Sequence, residues 1–128
     1  MRTMKNRKSR VAAVIRNVVE TPWKQYPGHF GGALSKPLVR PETAGSRLVD
    51  YRISTYQPMA YVETHQHKVQ EQIYHVLEGE GSMEIAGRRQ IVRRHDVIFI
   101  PPGVPHSIRN DGLTDLTFIV VTTPAEDE

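Results

Sequence analysis

The sequence predicts an all-β fold, a jelly-roll β-barrel preceded by an irregular N-terminal arm. Three observations lead there. From residue 47 onward, short stretches rich in β-branched and aromatic residues recur at close spacing. Turn-forming residues separate them: Gly79-Glu80-Gly81, Gly87, Pro101-Pro102-Gly103 and Asn110-Asp111-Gly112. Beyond the arm, no stretch has a convincing helical period. Many short strands leave unpaired edges unless the sheet closes on itself or a second sheet packs on it, so a jelly-roll is expected over an open sheet.

In chain order, residues 1–20 read as a basic arm with a helical turn over 11–19, otherwise a solvated tail. Residues 21–46 contain Pro22, Pro27, Gly28, Gly31, Gly32, Pro37, Pro41 and Gly45. This composition opposes a long helix and favours loops and short extended pieces. Trp23, Tyr26, His29 and Phe30 lie in this segment and are read as packing residues, in a stretch that closes over the barrel or crosses to a second subunit. Strands are expected at 47–56, 72–77, 82–86, 90–93, 97–100, 106–108 and 116–123. At 128 residues the chain suits one core. The reading is therefore a 1–20 arm followed by one domain over 21–128, with the barrel at about 47–123.

The net charge of +3 is unevenly distributed. Residues 1–19 carry Arg2, Lys5, Arg7, Lys8, Arg10 and Arg16 and no acid, and the remainder carries 11 basic and 14 acidic residues. The folded part is thus mildly acidic, and a nucleic-acid face across it is not expected. No apolar run approaches the roughly 20 residues of a membrane span. The apolar residues at 11–15 are cut off by Arg16 before they could form a signal-peptide core, so a soluble, cytoplasmic protein without a membrane partner is expected. There are no cysteines. This excludes disulfides, thiolate metal sites and cysteine nucleophiles, and leaves His, carboxylate and amide groups as possible metal ligands.

Of six histidines, two form the pair His65-Gln66-His67. On an extended backbone residues i and i+2 point to the same side, so two imidazoles can approach one ion. The run from 65 reads HQHKVQEQIYHVLEGEG and the run from 95 reads HDVIFIPPGVPHSIRN. The first resembles the opening motif of the cupin superfamily: His-x-His, three or four residues, an acid or amide, six residues, Gly. The second resembles the closing motif, with Pro101-x-Gly103-x-x-His106-x-x-x-Asn110 at the family spacing. Their order and separation make the likeness specific, and with the surrounding strands it covers about residues 47–123. It implies an RmlC-like cupin barrel of the conserved type-2 kind. It further implies that His65, His67 and His106 hold a divalent transition metal (Fe, Mn, Ni, Zn or Cu), and that the protein is a homodimer.

The fourth ligand is Gln72, with Glu71 as the alternative. Both spacings from His67 occur in the family, but six residues separate Gln72 from Gly79, as the motif requires. Strand parity agrees, since Gln72, Tyr74 and Val76 share a face while Glu71, Ile73, His75 and Leu77 share the face that reads as the outer one. Three imidazoles and an amide leave a divalent ion its full charge, and such a site attracts anionic oxygen ligands. Some metal-binding cupins, including the family that resolves unsaturated uronates, use this ligand set.

The chain departs from the family at two places: Met59 and His95 stand where the motifs open with Gly, a change expected to affect turns and not chemistry. Tyr74 shares the parity of Gln72 and is the candidate catalytic residue, as a general acid/base or a hydrogen-bond donor. His75 reads as packed or at a dimer interface, and Asn110 as a side-chain turn cap. Tyr51 and Arg52 border the barrel mouth and one faces inward. An inward Arg52 would hold a carboxylate bidentately, but a surface ion pair is the expectation. The function expected is a metal-dependent isomerase, lyase or dioxygenase acting on a small anionic, oxygen-rich molecule such as a keto-acid or uronate. The alternative is a non-catalytic binding module or sensor.

Overall fold

The computed structural model describes residues 2–5 and 12–128. Within the arm, β1 (Arg2–Lys5) and β2 (Ala12–Ile15) pair antiparallel, Arg2 opposite Ile15. The cations Arg7, Lys8 and Arg10 lie outside the described residues. Val11 also lies outside them; of the helical turn expected over 11–19, the described part is the strand β2 followed by a single 3-10 turn at Val18–Glu20, with Asn17 Oδ1 accepting from Val19 N–H. The tail reading fails from residue 12 onward. Arg16 donates to the carbonyls of Leu38 and Thr43, and Lys36 Nζ donates to Val18 O at 2.9 Å.

Ten further strands follow: β3 (His29–Phe30), β4 (Ala33–Val39), β5 (Asp50–Tyr56), β6 (Tyr61–Val62), β7 (Glu71–Glu78), β8 (Glu80–Ile85), β9 (Arg88–Arg93), β10 (Val97–Ile100), β11 (His106–Arg109) and β12 (Leu116–Thr123). They form two five-stranded antiparallel sheets, ordered β10-β7-β12-β5-β4 and β3-β6-β11-β8-β9. The expected jelly-roll is thus present, with one extra helical turn, α1 (Pro41–Ala44). Proline opens that turn with φ already near helical values, and Gly45 ends it at φ 72°.

Alternation along the strands builds the core. In β12 Leu116, Phe118, Val120 and Thr122 are buried and the intervening residues are more exposed. Phe118, Met83, Ile100, Ile108, Leu116 and Val76 fill the space between the sheets. Strand β4 was not expected, because Pro37 interrupts it. Proline lacks the N–H that a ladder needs, but β4 lies at the sheet edge and the register shifts just after Pro37. Gly79 is obligatory where β7 turns into β8: at φ 87°, an added Cβ would lie 2.4 Å from Asp115 O.

Candidate metal centre

His65 and His106 are paired through their backbones. His65 N–H donates to His106 O at 3.0 Å and His106 N–H to His65 O at 2.9 Å. The turn at Pro101-Pro102-Gly103 is stitched to the same loop, with Gly103 N–H donating to His67 O at 2.7 Å. These bonds bring three imidazoles from two distant parts of the chain into one cluster, whose candidate ligand atoms all lie within 4.8 Å of one another. The ring centroids of His65 and His106 are 4.3 Å apart.

The second nitrogens of two rings fix the tautomers. His65 Nδ1 faces Glu63 O at 2.9 Å and His106 Nδ1 faces Val104 O at 2.8 Å. A carbonyl only accepts, so each Nδ1 carries the proton and each Nε2 of the neutral ring presents a lone pair. His67 Nε2 is buried and no group among the described residues meets hydrogen-bond geometry with it, although the Gln72 side chain is close enough to act on the ring. The other sheet supplies Gln72, whose Oε1 lies 2.8 Å from His106 Nε2 while its Nε2 donates to Thr122 Oγ1 at 3.0 Å. Burial lowers the pKa of His106 to about 4, assisted by the neighbouring His65 and His67. Burial, then His65, lowers that of His67. Burial thus favours the neutral form of the His67 and His106 rings, and among the described residues no donor faces the buried His67 Nε2. Such a donor set fits a divalent transition metal: three imidazole nitrogens and one amide oxygen, with two ring orientations set by backbone carbonyls.

Glu71 lies elsewhere. It is exposed at the start of β7, whereas Gln72, Tyr74 and Val76 alternate inward from it. Tyr74 is buried, its ring tilted against Phe118 and its hydroxyl 3.5 Å from Gln72 Oε1. Burial raises its pKa, so the phenol stays protonated. His75 is half-buried between its cross-strand partners Val97 and Ile119. His95 is on an exposed turn. Asn110 is fully buried, donates to Tyr56 O and Thr114 O, and accepts from Gly112 N–H, closing its turn as expected.

Beside the cluster is a cavity of about 290 Å³. Gln72, Tyr74, Val120 and Thr122 form its β7–β12 wall, and His65 and His67 line its metal-facing end. Pro27, Gly28 and His29 line part of it, so the Pro/Gly-rich segment contributes to the cavity wall. His29 lines the cavity with its Nδ1 facing Pro27 O at 3.0 Å and is held edge-on against Tyr26 and Tyr56. Arg52 is not the surface ion pair expected. It lines the cavity and pairs there with Asp50, which is 3% exposed. Parity explains this: Asp50, Arg52, Ser54 and Tyr56 alternate on the inner face of β5.

Sequence reasoning missed two supports of the cluster. Thr122 orients the Gln72 amide, and the parity of β12 could have revealed it. Asp127 accepts from the backbone N–H groups of Lys68 and Val69 at 2.9 Å and of Gln70 at 3.3 Å, and its Oδ2 is 4.0 Å from His67 Nδ1. No motif announces Asp127, because its partners lie almost sixty residues earlier.

A family model described as Cupin domain matches residues 52–122. Among curated proteins, the chain is 39% identical over 64 residues to an oxalate-binding protein of Thermotoga maritima, covering 50% of this chain and 53% of that one. It is 38% identical over 60 residues to an uncharacterized protein of Methanocaldococcus jannaschii, covering 47% and 48%. The chain thus spans about half the length of the curated relatives it matches. A crystal structure of a predicted oxalate decarboxylase from Thermotoga maritima superposes with a TM-score of 0.78 at 26% identity, over 87% of this chain and 99% of that one.

Proposed function

The chain belongs to the cupin domain family, and on that footing we propose that it is a metal-dependent enzyme acting on a small anionic, oxygen-rich molecule. His65, His67, Gln72 and His106 hold one divalent transition metal. The observation that carries this reading is the convergence of lone pairs with no donor among them: His65 Nε2, His106 Nε2, the partnerless His67 Nε2 and Gln72 Oε1. A metal held there would stabilise negative charge on substrate oxygens, as isomerase, lyase and dioxygenase chemistry require. The ligand set carries no charge of its own, which favours an anionic guest.

The remaining residues of the cavity shape and orient that guest. Tyr74, protonated because it is buried, serves as a hydrogen-bond or proton donor and not as a base. Phe118 and Val120 exclude water from the inner wall. The homodimer implied by the family likeness belongs to the same proposal. Ile73, Val97 and Phe99 support it, as they lie exposed on the edge strand β10 and its neighbour β7, at 41%, 63% and 54% exposure.

A second reading is a non-catalytic binding protein, and the oxalate-binding relative favours it. One experiment separates the two. Purified protein is analysed for bound metal and then tested for binding and for turnover across oxalate, keto-acids and uronates. Stoichiometric metal that is lost in His65→Ala, together with turnover of one compound, supports the enzyme. Metal with binding but no turnover supports the binding protein. A folded protein that takes up no metal overturns the enzyme, and one that also binds none of these compounds overturns both.

A further inference from the structure

The cavity has a second fixed polar group, across from the imidazoles. Arg52 is held side-on by Asp50, with Nε donating to Oδ1 at 3.2 Å and Nη2 to Oδ2 at 2.8 Å. Asp50 is buried and also accepts from Arg40 Nη1, so one carboxylate is divided between two guanidinium groups. Arg40 in turn reaches out to the exposed Glu42. The face of the Arg52 guanidinium rests on the Tyr26 ring, 4.8 Å from its centroid. A guanidinium has two edges that can grip a carboxylate. In Arg52 the Nε/Nη2 edge is taken by Asp50, and Nη1 has no hydrogen-bond partner among the described residues. The Nη1/Nη2 edge of a residue that lines the cavity is therefore pre-oriented and unused.

Sheet register gives the separation. Gln72, Thr122 and Asp50 lie in one row across β7, β12 and β5, and Tyr74, Val120 and Arg52 in the next. Two strand spacings, about 10 Å, separate the Gln72 side of the cavity from the Arg52 side. The cavity of 290 Å³ corresponds to about ten waters at ~30 Å³ each. That is room for a ligand longer than oxalate. Oxalate is smaller, and its two carboxylates are adjacent, so both are used at the imidazole end. The acid Glu63 also lines the cavity, but it is exposed and belongs to the loop before His65.

We propose that Arg52 is the specificity-determining anchor for a second carboxylate, and that the ligand is a 2-oxo or 2-hydroxy dicarboxylate of four or five carbons. Its oxygenated head lies at the histidine cluster and its distal carboxylate on the Nη1/Nη2 edge of Arg52. This assignment rests on the functional reading above, because it places the head of the ligand at a metal.

The test uses two probes with the same head, 2-oxoglutarate with a distal carboxylate and 2-oxobutyrate without one. Each is titrated calorimetrically into protein loaded with Mn(II). The wild type should prefer 2-oxoglutarate by about tenfold or more. Arg52→Gln should abolish the preference while leaving Mn(II) stoichiometry and 2-oxobutyrate affinity in place. Arg52→Lys keeps the charge and a partner for Asp50 but lacks the two-pronged edge, so it should lose most of the preference; it decides the matter if Arg52→Gln does not fold. A wild type that binds both probes equally, or a preference that survives both substitutions, overturns the proposal. If the wild type takes up neither Mn(II) nor Ni(II), Zn(II), Cu(II) or Fe(II), the metal reading fails by itself. The same titration on metal-free protein then decides Arg52: a preference for the diacid supports the anchor and its absence overturns it.

Discussion

The amide oxygen of Gln72 lies 2.8 Å from Nε2 of His106, and both atoms present lone pairs, because His106 Nδ1–H is committed to the carbonyl of Val104. Two acceptors at that distance repel unless a proton or a cation lies between them. The reversed amide would donate to His106 and accept from Thr122. The orientation found turns the oxygen inward, as a metal ligand requires. This contact links the two sheets, because Gln72 belongs to β7 and His106 to β11.

The charge of the fourth ligand should control which guests bind. Gln72→Glu should tighten divalent metal and weaken oxalate, each by about tenfold, equivalent to about 1.4 kcal/mol. Glu71→Gln, on the exposed side of the same strand, should change neither. Metal competition and calorimetry measure both. Equal effects at the two positions would mean that parity does not select the ligand.

The metal-free protein should lose stability as the pH falls from about 6.5 to about 4. The unfolded state protonates His106 near its ordinary value of 6.5, while the folded state resists until about 4. The unfolded state thus binds more protons within that window, and stability rises with pH across it. The loss should reach about 3 kcal/mol at ~1.4 kcal/mol per pH unit. The lowered pKa of His67 acts with the same sign. Denaturant midpoints measured from pH 7 to pH 4 show the slope, which His106→Asn should flatten.

Met59 and His95, which replace the family's glycines, both adopt φ 77°. A side chain in this left-handed region costs about 1–2 kcal/mol, part of which is regained when glycine loses its greater freedom on folding. Met59→Gly and His95→Gly should each stabilise the fold by about 0.5–1 kcal/mol, raising the melting temperature by a few degrees without changing metal content. A fall in melting temperature would show that the side chains compensate for the strain.

Asp127 orders the backbone of the segment that follows His67 by accepting three of its N–H groups. Asp127→Ala should leave the barrel folded and lower metal affinity by about ten- to hundredfold, the usual effect of losing an outer support. Asp127→Asn, with one acceptor oxygen fewer, should fall between Asp127→Ala and the wild type. Unchanged affinity in Asp127→Ala would show that His67 is held by the Gly103 bond alone.

The sequence by itself determined the all-β class, most strand positions and the identity of the three clustered histidines. Alternation and turn residues are local signals, and the spacing in 65–81 and 95–110 survives without knowledge of the fold. Parity alone assigned Gln72 and Tyr74 to the inner face and Glu71 to the outer, since side-chain direction along a strand has a period of two. Three features depended on tertiary structure. Strand β4 forms despite Pro37 because it lies at an edge, and edge position is a property of the assembled sheet. The arm docks from residue 12 because Arg16 and Lys36 find carbonyls across the fold. Arg52 is a cavity residue because Asp50 is buried beside it and Arg40, ten residues earlier than Asp50, folds back to share that carboxylate. Each of the three is a contact between segments remote in the chain or a place in the finished sheet, and local sequence pattern carries no information on either.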